Sequence, residues 1–165
     1  MTIDPDTVQL ASRHLTAAGF AAALLATLGK KYWGYAAFSL LALIEAFADL
    51  RYPFHGWIRD MLLGTHEQVG AKAVLQSTLL YVTGMLGCFV LLILVPYLAR
   101  VSKGRRYMVI GSLIIAAMLS LELISPHYID AVIYHPEGPF ARSAIAYFIG
   151  GVAIAGGALM TRRRR

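Results

Sequence analysis

Residues 73–99 read AVLQSTLLYVTGMLGCFVLLILVPYLA, 27 positions without a charged side chain. A helix rises about 1.5 Å per residue and the hydrocarbon core of a bilayer is about 30 Å thick, so roughly 20 apolar residues are enough to cross it. This stretch crosses with residues to spare, and water is not its main solvent. The whole chain agrees: of 165 residues, 58% are hydrophobic and only 15% charged, and the mean hydropathy is +0.63. Those values lie outside the usual range of soluble domains.

Four more apolar segments stand around it. The first, 7–29, becomes fully uncharged only from Leu15, after Arg13 and His14. The second, 32–50, carries Glu45 and Asp49 in its later half; the fourth, 107–125, carries Glu122 and is followed by Pro126, which ends or kinks a helix. The fifth, 143–161, holds the glycine pairs Gly150-Gly151 and Gly156-Gly157, which let helix backbones approach closely. The expected fold is therefore an all-α integral membrane protein. It is a single domain over residues 1–165, a bundle of about five transmembrane helices spanning roughly 7–29, 32–50, 73–99, 107–125 and 143–161.

Charge orients the bundle. Three short connections collect Lys30 and Lys31, then Arg100, Lys103, Arg105 and Arg106, then Arg162 to Arg165, ten of the fifteen basic residues. All nine acidic residues fall on the opposite side or in the helix halves nearest it. The positive-inside rule then puts the N-terminus outside and the C-terminus in the cytoplasm, which requires an odd number of spans, and points to a cell membrane such as a bacterial inner membrane. The first residues are acidic and lack the positive region of a secretory signal, so no cleaved peptide is expected. Cys88 stands alone in an apolar run, which excludes a disulfide framework. The net charge of +6 is explained by topology and attraction to anionic lipid. Its basic residues are dispersed among connections rather than gathered with stacking aromatics, so nucleic acid is not an expected partner.

The two outer connections resemble each other. After Glu45 come Pro53, His55, Asp60, an apolar patch and His66; after Glu122 come Pro126, His127, Asp130, an apolar patch and His135. A parallel repeat of two helical hairpins would produce this pattern, as would coincidence in a short, biased sequence. Interleaved apolar residues in Phe54 to Leu63 and Tyr128 to Tyr134 suggest short helices at the interface, with Trp57, Tyr128 and Tyr134 at headgroup depth.

Glu45 and Asp49 lie four residues apart, on one helix face, and Glu122 belongs at a similar depth on the fourth helix. A carboxylate within hydrocarbon is costly unless paired, protonated or hydrated. Such carboxylates have two readings: a buried pair that locks the second helix to the fourth, or a polar outward-facing site between them. In the second reading Glu45, Asp49 and Glu122 are candidate catalytic groups, as proton carriers or ligands. His55, His66, His127, Asp130 and His135 form a candidate metal set, because imidazole plus carboxylate suits zinc, copper or non-haem iron. His55 and His127, each closing a helix, are candidate axial ligands of a haem. Against these stand the sequence His66-Glu67-Gln68-Val69-Gly70, which lacks the second histidine of a metalloprotease helix, and the absence of any Glu-x-x-His pair of the ferritin type.

The expected function is that of a small polytopic accessory or structural subunit of a larger membrane assembly. Its partners are the lipid bilayer and other membrane subunits or copies of itself. The alternatives are a membrane redox protein with haem or a transition metal as cofactor, and a small proton-coupled transporter. Histidines near the outer surface would make any of these sensitive to acid.

Overall fold

The computed structural model describes residues 4–48, 69–124 and 132–161. Five helices account for most of them: α1 Pro5–Gly29, α2 Trp33–Ala48, α3 Val69–Arg100, α4 Lys103–Ile124 and α5 Arg142–Met160. Helix makes up 87% of the described residues. The remainder includes one two-stranded antiparallel ribbon, β1 Pro136–Glu137 and β2 Phe140–Ala141.

Local chemistry sets several of the ends. Pro5 opens α1, where its fixed φ suits the first turn and its missing N–H costs nothing, and Asp6 complements the positive end of the helix dipole. At the other end the Thr27 hydroxyl folds back onto the carbonyl of Ala23 at 2.7 Å. Lys31 then turns the chain with φ 61°, and the Tyr32 N–H donates to the Thr27 carbonyl at 2.9 Å. Between α3 and α4, Arg106 caps the end of α3: its Nη2 donates to the Ala99 carbonyl at 3.0 Å and its Nε to that of Val101 at 3.2 Å.

Glycine contacts fix the directions of three helices. On α5, Gly151 faces the backbone of Gly19 on α1, and a Cβ on Gly19 would stand 2.9 Å from the Phe148 Cα. One end of the same pair of helices is marked by Ser12 against Ala141. Residue numbers rise together from that contact to Gly19 and Gly151, so α1 and α5 run parallel. The opposite face of α5 meets α4 with numbers running in opposite senses, Gly157 against Gly104 and Gly150 against Gly111. A Cβ on Gly157 would come within 2.5 Å of the Gly104 carbonyl oxygen. Helix α5 is therefore the central element, its glycines giving both neighbours backbone-to-backbone approach.

One apolar cluster joins the elements: Phe20 and Ala23 from α1, Ala42 from α2, Met108 and Ile115 from α4, and Tyr147, Ile154 and Ala158 from α5. Phe20 and Tyr147 meet edge to face, their centroids 5.6 Å apart. Helix α2 packs on α1, while the main described contact of α3 is with α4.

Three stretches are long and apolar enough to cross a membrane: Tyr81–Arg100 within α3, Lys103–Glu122 within α4, and Arg142–Met160. Helix α2 is apolar but has 16 described residues, about 24 Å at the helical rise. Helix α1 is long, and its first half is polar. Most of the described side chains of α3 are exposed, Met85 and Leu92 each to 74%. Apolar side chains exposed on a helix of this length suit hydrocarbon rather than water.

The sequence places short helices in the two outer connections. Phe54 to Leu63 lies outside the described residues, as do residues 128–131 of the second segment. Beyond Tyr134 the chain forms a hairpin, which the hydrophobic pattern does not signal. Its two-residue loop is Gly138-Pro139, with Gly138 at φ 64°, a left-handed conformation that glycine adopts without strain.

Candidate functional site

The end of the bundle that holds the start of α1 contains a half-open cavity of about 540 Å³. Helix α1 lines it with Pro5, Val8, Gln9, Ser12, Arg13 and Thr16, and α5 with Ser143, Ala144 and Tyr147. Glu122 comes from the last turns of α4, Ala46 from the end of α2, and Tyr134, Pro136 and Ala141 from the hairpin region. The cavity exists because the glycine contacts draw α1, α5 and α4 together, whereas no such contact draws α2 to α4. The space left beside α2 at this end is roofed by the hairpin.

Two attachments hold that roof. The Ala141 N–H donates to the Ser12 hydroxyl of α1 at 2.8 Å. The Arg142 guanidinium pairs with the Glu137 carboxylate at 2.6 Å, and the Arg142 N–H donates to the His135 carbonyl at 3.2 Å. Both members of the ion pair are about half exposed, where water and salt screen it. Its energetic weight is small, and its effect is to fix the hairpin's angle to α5.

Glu122 is the deep polar feature. It is 6% exposed, and the Tyr147 hydroxyl donates to its Oε2 at 2.6 Å. A buried carboxyl without such a donor would cost several kcal/mol, and an O–H···O bond of this length lies at the short end of the range for such contacts. Arg13 lies half-buried on α1 beside Ser12 and also lines the cavity. The buried hydroxyls of Thr16 and Ser143 lie on the facing surfaces of α1 and α5. Among the described residues the lining is thus largely apolar, with the Glu122 carboxyl, the Arg13 guanidinium, the Gln9 amide and a few hydroxyls, the pattern of a small-molecule pocket.

Three of the candidates read from the sequence are among the described residues. Glu122 lines the cavity. Glu45 is half-buried on α2 next to Ala46, which lines the cavity, but is not itself a lining residue. His135 is exposed directly before the hairpin. Asp49, His55, His66, His127 and Asp130 lie outside the described residues. Among the described residues no group of three or more His, Cys, Asp or Glu is placed to hold a metal ion.

Arg13, Ser12 and Tyr147 are not singled out as site residues by the sequence pattern. A signal for Tyr147 is nonetheless present, a polar hydroxyl inside a stretch otherwise fit for hydrocarbon, whereas Arg13 stands in the polar first half of α1, where a charge is no anomaly. Ser12 carries no such mark, since a serine hydroxyl satisfies itself easily on a helix. Compared with family models, curated proteins and solved structures, the chain has no match.

Proposed function

We propose that this chain is a small polytopic membrane protein that serves as an accessory subunit of a larger membrane assembly. In this reading five helices span, the N-terminus and the cavity face the extracytoplasmic side of a bacterial inner membrane, and the C-terminal arginines lie in the cytoplasm. The observation that carries it is α3: its Tyr81–Arg100 stretch is the most apolar of the three membrane-length stretches, and most of its described side chains are exposed. A helix so placed is an attachment element, presenting apolar surface to lipid and to neighbouring membrane subunits or further copies. The parallel course of α1 and α5 supports the orientation, because it puts the two chain ends at opposite ends of the bundle.

Solubilisation from native membranes in a mild detergent tests the assignment. A discrete species larger than the 18.0 kDa monomer, containing a co-purifying subunit or further copies, is the expected result. A monodisperse monomer without a partner overturns it. Haem binding rests on His55 and His127, and transition-metal binding on these with His66, Asp130 and His135; of the five, only His135 is among the described residues.

A further inference from the structure

The end of the bundle opposite the cavity carries the cations. The contact of Gly104 with Thr161 and the parallel course of α1 and α5 bring together there the end of α1, the start of α2, the α3–α4 turn and the end of α5. Lys30, Lys31, Arg100, Lys103, Arg105 and Arg106 stand at this end, whereas Asp4, Asp6, Glu45, Glu122 and Glu137 lie toward the other. Among the described residues none of these six cations pairs with a carboxylate. Their placement is more particular than topology requires. Lys103, Arg105 and Arg106 occupy the first turn of α4, Lys30 and Lys31 directly precede α2, and neither first turn holds an acid. The N-terminal end of a helix dipole is itself positive, so cations are unfavourable there unless an anion joins them.

Three side chains narrow that charge to one place. Arg106 donates to the Ala99 and Val101 carbonyls and so ties the end of α3 to the start of α4. Tyr35 of α2 packs at the edge of the apolar cluster to which Met108 of α4 belongs, within electrostatic range of Tyr97 on α3 and Arg105 on α4. Yet the main backbone contacts of α2 are with α1, and those of α4 with α5 and α3. Side chains of α2, α3 and α4 thus approach one another where the backbone of α2 stands apart from the other two. A guanidinium and two phenol O–H groups at such a crevice are donors matched to the oxygens of a phosphodiester. The setting selects a lipid over a soluble anion. Trp33, Tyr97 and Tyr107 are exposed at this end, and aromatic residues of this kind settle at headgroup depth. Further along α2 the exposed side chains are Leu40, Leu41, Ile44 and Phe47, an apolar surface for acyl chains.

We propose that the crevice between the start of α2 and the α3–α4 turn seats one anionic phospholipid, its phosphate on Arg105 beside the hydroxyls of Tyr35 and Tyr97 and its acyl chains along α2. The inference rests on reading the chain as membrane-spanning. It requires no partner subunit, and it holds whichever side of the membrane this end faces. The test is calorimetric titration of the purified full chain in maltoside micelles with dioctanoylphosphatidylglycerol, dioctanoylphosphatidylcholine and inorganic phosphate. The anionic lipid is expected to bind about tenfold or more tighter than the other two, the scale of one hydrogen bond to a charged group. Arg105→Gln should weaken its binding by about tenfold. Lys30→Gln, which removes the same charge from the same end, should weaken it by no more than about twofold, the scale of a screened surface charge. The double variant Tyr35→Phe with Tyr97→Phe keeps every charge and should still weaken binding several-fold.

Equal binding of the two lipids overturns the proposal, and inorganic phosphate binding as tightly as the anionic lipid overturns the lipid as occupant. Equal losses in Arg105→Gln and Lys30→Gln also overturn it, because they would mark a diffuse field in place of a seat. Unchanged binding by the tyrosine double variant does the same. Folding of each variant is checked by circular dichroism and gel filtration, and for any that fails to fold the wild-type selectivity among the three probes decides. Loss of the proposal on these grounds leaves the accessory role standing, and a partnerless monomer that still selects the anionic lipid removes the accessory role alone.

Discussion

The hydrogen bond between Tyr147 and Glu122 has two ends that are not equivalent. Replacing the donor by Tyr147→Phe deprives a buried carboxyl of its 2.6 Å contact, at a cost of roughly 1–3 kcal/mol. Replacing the acceptor by Glu122→Gln leaves an amide carbonyl for the same hydroxyl and removes the desolvated acid, so the loss should be smaller, below about 1 kcal/mol. Thermal unfolding in one detergent should rank Tyr147→Phe as the less stable; the reverse order would show that the carboxyl does not depend on this donor. At this scale the sequence is partly readable. Glu122 announces itself as a charge in an apolar run, whereas Tyr147 stands beside Phe148 in α5 and only its hydroxyl sets it apart. Nothing in the spacing of residues 122 and 147 pairs them, because a contact across 25 positions is a product of helix packing.

Helix pairing turns on which glycine of each doublet faces a neighbour. Gly157 meets the Gly104 carbonyl and Met108, whereas nothing lies within 4 Å of a Cβ built on Gly156. Gly157→Ala should therefore destabilise the α4–α5 contact by about 1–3 kcal/mol through overpacking. Gly156→Ala should be neutral or slightly stabilising, because alanine favours a helix by up to about 1 kcal/mol over glycine. Equal melting temperatures for the two variants would refute the close approach.

The hairpin gives a second comparison. Gly138→Ala forces a Cβ into a left-handed backbone at φ 64°, at about 1–2 kcal/mol, and should speed amide exchange at Ala141 and Arg142 while leaving α5 protected below its first turn. The long apolar runs made five helical segments legible with bounds within a few residues, apart from the early starts of α3 and α4. The doublets did not say which glycine packs, since both members satisfy the same pattern. The ribbon was hidden because residues 136–141 contain two prolines and one glycine, a composition that any loop shares.

At the scale of the whole molecule, a bundle whose end helices run parallel and whose basic residues cluster at three connections should sit with its termini on opposite sides. Tags at the two ends, probed with an impermeant reagent on intact cells, should be reached at the N-terminus and protected at the C-terminus; equal accessibility would require an even number of spans. The sequence by itself determined that the chain is helical and rich in membrane-length apolar segments, because length and hydropathy are properties of consecutive residues. It also located a carboxyl that hydrocarbon cannot accept unaided. Only the tertiary structure decided that α5 is the centre, that most described side chains of α3 are exposed, and that Arg13, Ser12, Glu122 and Tyr147 share one chamber. Those outcomes depend on which backbones glycine lets come close, and closeness between distant segments is not written in the order of residues along any one of them.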